Sequence, residues 1–519
     1  MESALRVRAE FQGDALVFFV FEKEEKPLPG LGAWLEAEGG WLAGNPGVGK
    51  FLGRAKSVRY FFPPNGVSAS ALILAGLGKR EDAGPRQLRQ AVAAAIDCAM
   101  DLEMSEIGLG TAALEDTGLD VGLAAEEAIA AAMSAAYRFD RLKSGQDGKQ
   151  TTPPRLYLLH AGDTDTILAA SLEQAEAIVH GLNLARDLVN MPSNLAPPEY
   201  LAETARGLAA RHGFGVEVYG AEQIKDLGMG AFAAVFQANP EQARLIILDS
   251  HPAGSMDADA EGCAQPLVVI GKGITFDTGG ISLKPSPGME EMKGDMGGAA
   301  AVLGFFEAYG RLSSKGAGEH WKGRQKQRRV VGIIPCTENV PGSRAIKPGD
   351  VVTSLSGKTV EIVNTDAEGR LLLCDALAFS KRYEPLGIVD LATLTGAMVV
   401  SLGPRIAGVF AEPETLTGLV RQIGDRVGEP AWPMPLWADY KEELKSEVAD
   451  LKNVGAREGG AIHAALFLQP FVPEDTPWVH LDIAGPAFAK KKGEQGVAGG
   501  TGFGVRTLLE LVREWPERH

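Results

Sequence analysis

From residue 216 onward, short apolar runs of strand length keep returning: 216–219, 244–248, 267–276, 330–334, 359–363, 387–394 and 479–483. Segments with helical patterning separate several of them, 298–309 and 371–383 among others. A chain written this way must interleave strands with helices, which points to a mostly parallel sheet covered on both faces. The first 165 or so residues carry a lighter version of the same pattern. Strands are expected at 15–21, 71–76 and 156–159 and a helix at 123–137; Leu88, Val92, Ile96 and Met100 recur every four residues along one helical face. Between the two regions, 171–189 reads as a long helix.

A chain of 519 residues exceeds a single hydrophobic core. The expectation is therefore α/β throughout: a smaller N-terminal α/β domain over 1–168, a linker helix over 169–192, and a larger catalytic α/β domain over 193–519 with a central, mostly parallel mixed sheet. Two polar or basic segments, 251–265 and 313–327, read as surface insertions.

Charge and cysteine usage narrow the function classes. Formal net charge is −16, and the densest basic run, 322–329, reads as a solvated loop, so nucleic acid is not an expected partner. The four cysteines show no C-x-x-C spacing, which argues against a zinc ribbon or a disulfide scaffold and fits a reducing cytoplasm. The apolar run at 15–21 is too short for a membrane span and is followed at once by charge. Residues 44–50 have the G-x-x-x-x-G-K spacing of a phosphate loop. Phe51 stands where magnesium would need a hydroxyl, and a plain Gly/Pro turn is the better reading.

Two stretches carry the chemistry. In NTDAEGRLLL, 364–373, Asp366, Glu368 and Arg370 alternate at the joint between an apolar strand and an apolar helix. In GKGITFDTGGISLKPSPGMEEMKGDMGGAA, 271–300, an apolar strand delivers Lys272 and Asp277, followed by Lys284 and Asp295. Ligands of open α/β sheets bind beyond the carboxyl ends of strands. If the two strands are neighbours, four carboxylates converge. Crowded carboxylates cannot all stay ionised unaided, and two divalent cations would cancel the four charges. Two metals roughly 3.5–4 Å apart, sharing a bridging water of lowered pKa, are a hydrolytic device. Singly, Asp277 can also be a turn aspartate and Asp295 a helix cap. A lysine such as Lys272 at an apolar strand end is harder to explain as surface charge.

These stretches resemble the leucyl aminopeptidase (cytosol aminopeptidase) family, whose signature NTDAEGRL is matched letter for letter. Further landmarks follow in order: NMPSN at 190–194, VPGS at 340–343, ATLTGA at 392–397 and HLDIAG at 480–485. The resemblance implies a metal-dependent aminopeptidase of the cytoplasm that removes N-terminal residues, large apolar ones such as Leu preferred. It implies two divalent ions per subunit, Mn²⁺ or Zn²⁺, one held by Asp277, Asp366 and Glu368 and the other by Lys272, Asp277, Asp295 and Glu368. A metal-bridged hydroxide would attack the carbonyl, Lys284 would stabilise the oxyanion, and Arg370 would hold a bicarbonate general base. Met292, Thr393 and Gly396 would line the pocket for the first side chain, and the assembly would be a homohexamer. Two features depart from the family: the long connection at 313–327, which could alter access or assembly, and His463, which stands where relatives carry a small residue or Thr and reads as packing. The rival readings are another two-metal hydrolase, such as a phosphatase, and a DNA-binding regulator on the same scaffold.

Overall fold

Two parallel-rich sheets organise the chain. The computed structural model describes residues 6–8, 11–22, 41, 47, 50–64, 68–110, 119–144, 154–159, 165–251, 265–313, 328–491 and 498–517. Described residues through Val179, together with Lys491 and Ala498, fall in one unit and the remaining described residues from His180 on in a second. The division lies inside one helix, Asp165–Asn190. Most of the insertions at 251–265 and 313–327, and most of the Gly/Pro turn at 44–50, lie outside the described residues.

The first unit is built on a six-stranded sheet in the order Arg6–Arg8, Arg155–Leu159, Glu106–Gly110, Gly13–Phe21, Ala69–Gly78, Val58–Phe61. Only the last pair is antiparallel. Leu88, Val92 and Ile96 of the helix Pro85–Asp101 are buried against this sheet's core, with Met100 packed beside them. The next helix, Val121–Ala135, starts two residues ahead of the sequence expectation. Asp120 caps it, its Oδ1 accepting from the Gly122 and Leu123 amides at 3.0 and 3.2 Å.

The second unit holds a nine-stranded sheet. From edge to edge its main path runs Ala431–Pro433, Ala407–Glu412, Trp478–Asp482, Gly387–Ala392, Leu267–Gly271, Val330–Asn339, Arg244–Asp249, Gly215–Tyr219. The four central strands are mutually parallel, and antiparallel pairings begin on either side of them. Side-chain alternation shows both faces in use. Val268, Ile270, Val331 and Ile333 enter a core with the helices Gly230–Phe236 and Gly369–Ser380. At Gly332 a Cβ would come 2.5 Å from Phe306 of the helix Gly297–Ser313, which lies on the other face.

Three expectations change here. The apolar run 267–276 is two strands, Leu267–Gly271 and Gly273–Asp277, the second paired with Val330–Asn339. The strand near 359–363 is shorter, Thr359–Glu361, and is not in the main sheet; it joins Val351–Thr353 and Leu451–Lys452 in a three-stranded sheet. Nor is the end of the basic run a solvated loop at its last two positions. Arg329 makes two bonds to Asp249, at 3.1 and 2.5 Å, and Arg328 donates to the Trp515 carbonyl at 3.1 Å. Among the described residues no helix is long and apolar enough to cross a membrane.

Candidate metal centre

The break between the two strands positions Lys272. Its backbone N–H donates to the Leu391 carbonyl at 3.1 Å, and its carbonyl accepts from the Ala299 amide at 2.9 Å. Backbones approach closely enough there that a Cβ on Gly298 would lie 2.1 Å from the Leu391 oxygen. The chain then resumes as Gly273–Asp277 and sets Asp277 opposite Asn339 in a parallel ladder. A turn follows, with Gly279 at φ +84° and its amide donating to Asp277 Oδ1 at 2.8 Å.

The second stretch arrives from the small sheet, not from a neighbouring strand of the large one. Its path is fixed by hydrogen bonds. Asn453 Nδ2 donates to the Asn364 carbonyl at 2.7 Å, and its Oδ1 accepts from the Val363 amide at 2.8 Å. Thr365 ties the two stretches together: its hydroxyl donates to the Gly279 carbonyl at 2.7 Å, and its amide to Ser282 Oγ at 3.1 Å. Glu368 then immediately precedes the helix Gly369–Ser380, so the carboxylate stands at a helix start.

The acidic groups meet. Oxygens of Asp277, Asp366 and Glu368 lie within 4.8 Å of one another. Lys272 Nζ is 2.8 Å from Asp295 Oδ2 and 2.9 Å from Glu368 Oε1, and Lys284 Nζ is 2.8 Å from Asp277 Oδ2 and 2.5 Å from Asp366 Oδ1. Lys272, Asp277, Asp295 and Glu368 are buried and Asp366 is half-buried. Asp295 turns its side chain to Lys272 and to the Thr393 hydroxyl, which donates at 2.7 Å.

Burial and mutual repulsion leave their mark on these groups. Loss of solvent, with the Asp277 charge next, pushes the Glu368 and Asp366 carboxyls above the ordinary range. Burial also raises Asp295, against the pull of Lys272. Burial alone would lower Lys272; Asp295, Glu368 and Asp277 outweigh it and hold its ammonium above the usual lysine range. Arg370 is buried, its pKa lowered to about 10 by loss of solvent, which leaves it charged at neutral pH. Its Nη1 donates to the Asn453 carbonyl at 2.6 Å, while its Nε has no hydrogen-bond partner among the described residues.

The remaining residues singled out in the sequence fall as follows. Met292 is half-buried in the 3-10 turn Met289–Gly294 ahead of Asp295. Thr393 touches Asp295, and Gly396 is exposed at the start of the helix Gly396–Leu402, where a Cβ would meet nothing within 4 Å. His463 is buried with its Nε2 3.0 Å from Glu443 Oε2 and its ring 5.2 Å from that of Tyr440. Sequence reading missed Asn339, whose amide reaches Asp277, and Asn453, which holds both the Asn364 loop and Arg370. Asparagines at strand ends are common in turns, and nothing local in the sequence separates these two from the rest.

Residues 183–509 match the model of the cytosol aminopeptidase family catalytic domain, and 17–146 match that of the family's N-terminal domain. A protein of Nitratidesulfovibrio vulgaris named "Probable cytosol aminopeptidase" is 47% identical over 512 residues, covering 98% of this chain and 97% of its own length. One with the same name from Syntrophobacter fumaroxidans is 44% identical over 509 residues, covering 98% and 97%. Among solved structures, a mutant of tomato leucine aminopeptidase superposes with a TM-score of 0.83 at 33% identity, covering 98% of this chain and 95% of that one. The bottromycin maturation enzyme BotP in complex with Mn gives 0.80 at 33% identity, covering 96% and 99%. A mostly buried carboxylate cluster where a strand end of the large sheet meets the loop from the small one, and a match that runs through both domains, lead to one assignment: the chain belongs to the cytosol aminopeptidase family and is a metallo-aminopeptidase.

Proposed function

We propose that this chain releases N-terminal residues, large apolar ones such as Leu preferred, from short peptides in the cytoplasm, using two divalent cations held where the carboxylates converge. The observation that carries the reading is the meeting of Asp277, Asp366 and Glu368 oxygens within 4.8 Å, on a mostly buried site. Such a donor set suits hard or borderline divalent ions, and the raised carboxyl pKa values are what burial, with the neighbouring Asp277 charge next, produces there. Asp277, Asp366 and Glu368 would hold one ion; Lys272, Asp277, Asp295 and Glu368 would hold the other. Bound there, Mn²⁺ or Zn²⁺ would supply Lewis acidity and a water of lowered pKa. Lys272 would serve as a neutral amine, because dications beside it reverse the field that now favours its ammonium.

Lys284 is the more exposed of the two lysines, its side chain 22% accessible against 3% for Lys272. That exposure suits it to reach a scissile carbonyl and stabilise the oxyanion. Arg370 would hold a bicarbonate that accepts the proton of the attacking water. Its buried Nε, without a hydrogen-bond partner among the described residues, supports the role, since a guanidinium edge matches a planar oxyanion. Met292, Thr393 and Gly396 would line the pocket for the first side chain, and the open space beside Gly396 fits a bulky one. The assembly proposed is a homohexamer.

The test sets leucine p-nitroanilide against its N-acetylated form and against p-nitrophenyl phosphate. Turnover of the free-amine anilide alone is expected; phosphate release, or equal cleavage of the blocked substrate, refutes the reading. In the same assay Arg370→Ala is expected to slow kcat about 10- to 10²-fold, less than loss of a metal ligand, since it holds the base without being it. Added bicarbonate should accelerate the wild type and not the variant. Equal response in both removes Arg370 from that role.

A further inference from the structure

Asp277 and Glu368 come from different stretches of the chain, and one uncharged side chain spans them. Asn339 ends the strand Val330–Asn339, 2% exposed. Its Nδ2 donates toward Asp277 Oδ1 at 2.8 Å, the Thr365 carbonyl at 3.0 Å and Glu368 Oε2 at 3.3 Å. An amide has two hydrogens to share among these three acceptors, so the bond to Glu368 is the weakest arm. The residue is itself held in place. Its carbonyl accepts from both the amide and the hydroxyl of Thr278 at 2.9 Å, and a Cβ on Gly280 would lie 2.9 Å from its Oδ1.

This contact divides the labour between the oxygens of each carboxylate. Asp277 Oδ1 is occupied by Asn339 and by the Gly279 amide, while Oδ2 faces Lys284. Glu368 Oε2 faces Asn339, while Oε1 faces Lys272. Donation from a neutral amide holds the pair together without adding charge. An aspartate here would add a further anion to the cluster, and a lysine would add a cation competing with any metal. We propose that Asn339 is a positioning residue that sets the separation of Asp277 and Glu368 and turns the other oxygen of each, now against Lys284 and Lys272, toward the place of a divalent cation, so that binding of the metal pair depends on it. The proposal rests on the two-metal reading above.

The experiment titrates metal-stripped wild type, Asn339→Ala and Asn339→Leu with Mn²⁺ and Zn²⁺ by equilibrium dialysis, with the metal-free Tm of each measured alongside. Asn339→Leu nearly keeps the volume and loses both donors without adding charge, so a role in packing alone would tolerate it. The expected result is two ions per chain in the wild type, and in both variants an unchanged metal-free fold with binding weakened about 10- to 100-fold. Isotherms of folded variants that superimpose on the wild type overturn the proposal. Loss of the metal-free fold in both variants also overturns it, because Asn339 would then be structural. A wild type that binds no divalent ion overturns the two-metal reading with it, which is a distinguishable outcome.

Discussion

Glu368→Ala is expected to lower kcat/KM on leucine p-nitroanilide by on the order of 10⁴, which is about 5 kcal/mol of transition-state stabilisation. The size of the effect follows from the number of partners that meet at this carboxylate. Its Oε1 lies 2.9 Å from Lys272, its Oε2 3.3 Å from Asn339, and its oxygens cluster with those of Asp277 and Asp366. Alanine there removes a donor proposed for both metal positions. It also leaves the buried Lys272 with Asp295 and the Thr393 carbonyl as its remaining close partners. Metal analysis of the purified variant should give fewer than two ions per chain. A variant within tenfold of wild-type turnover, at full metal content, would take Glu368 out of the chemistry.

Exhaustive dialysis against a chelator is expected to take hydrolysis below about 1% of its starting rate, with Mn²⁺ or Zn²⁺ restoring it, because on the proposed reading a bound cation would supply the polarisation that activates water near neutral pH. Stability moves in the same direction. Ions that bind the folded chain and not the unfolded one add about 2.7 kcal/mol at a hundredfold excess over Kd, so Tm should fall on chelation and recover with activity. Variants lacking Asp277 should lose most of this metal-dependent rise in Tm. Undiminished turnover in metal-free buffer, with Tm unmoved by added metal, contradicts the scheme at its base.

The apolar runs of the second unit were legible because strands buried on both faces are written as near-continuous Val, Ile and Leu, as in Leu267–Gly271. Boundaries were less so. The strand Val330–Asn339 continues five residues beyond its expected end at 334, through Pro335, whose missing N–H makes a poor strand residue. That extension matters, since it carries Asn339 to Asp277. The split at Lys272 was hidden because the apolar residues on either side of Gly271-Lys272-Gly273 read as one run, and it is a neighbour distant in sequence, Val330–Asn339, that draws off the second half. The charged residues of the site stood out because five of them fall at joints between apolar segments. The amides that hold them did not, because an asparagine's partners are tertiary and leave no spacing to read.

At the first residue of the helix Gly369–Ser380, two demands on one position oppose each other. A Cβ on Gly369 would come 2.6 Å from Lys272 Cε and 2.8 Å from its Nζ. Alanine ordinarily firms a helix by roughly 0.5–1 kcal/mol over glycine, yet here a single methyl group would wedge the amine out of its nest of acids. Anyone transplanting this ligand loop onto another scaffold must therefore carry the distant lysine with it, and anyone stabilising the enzyme by helix propensity must leave that turn alone.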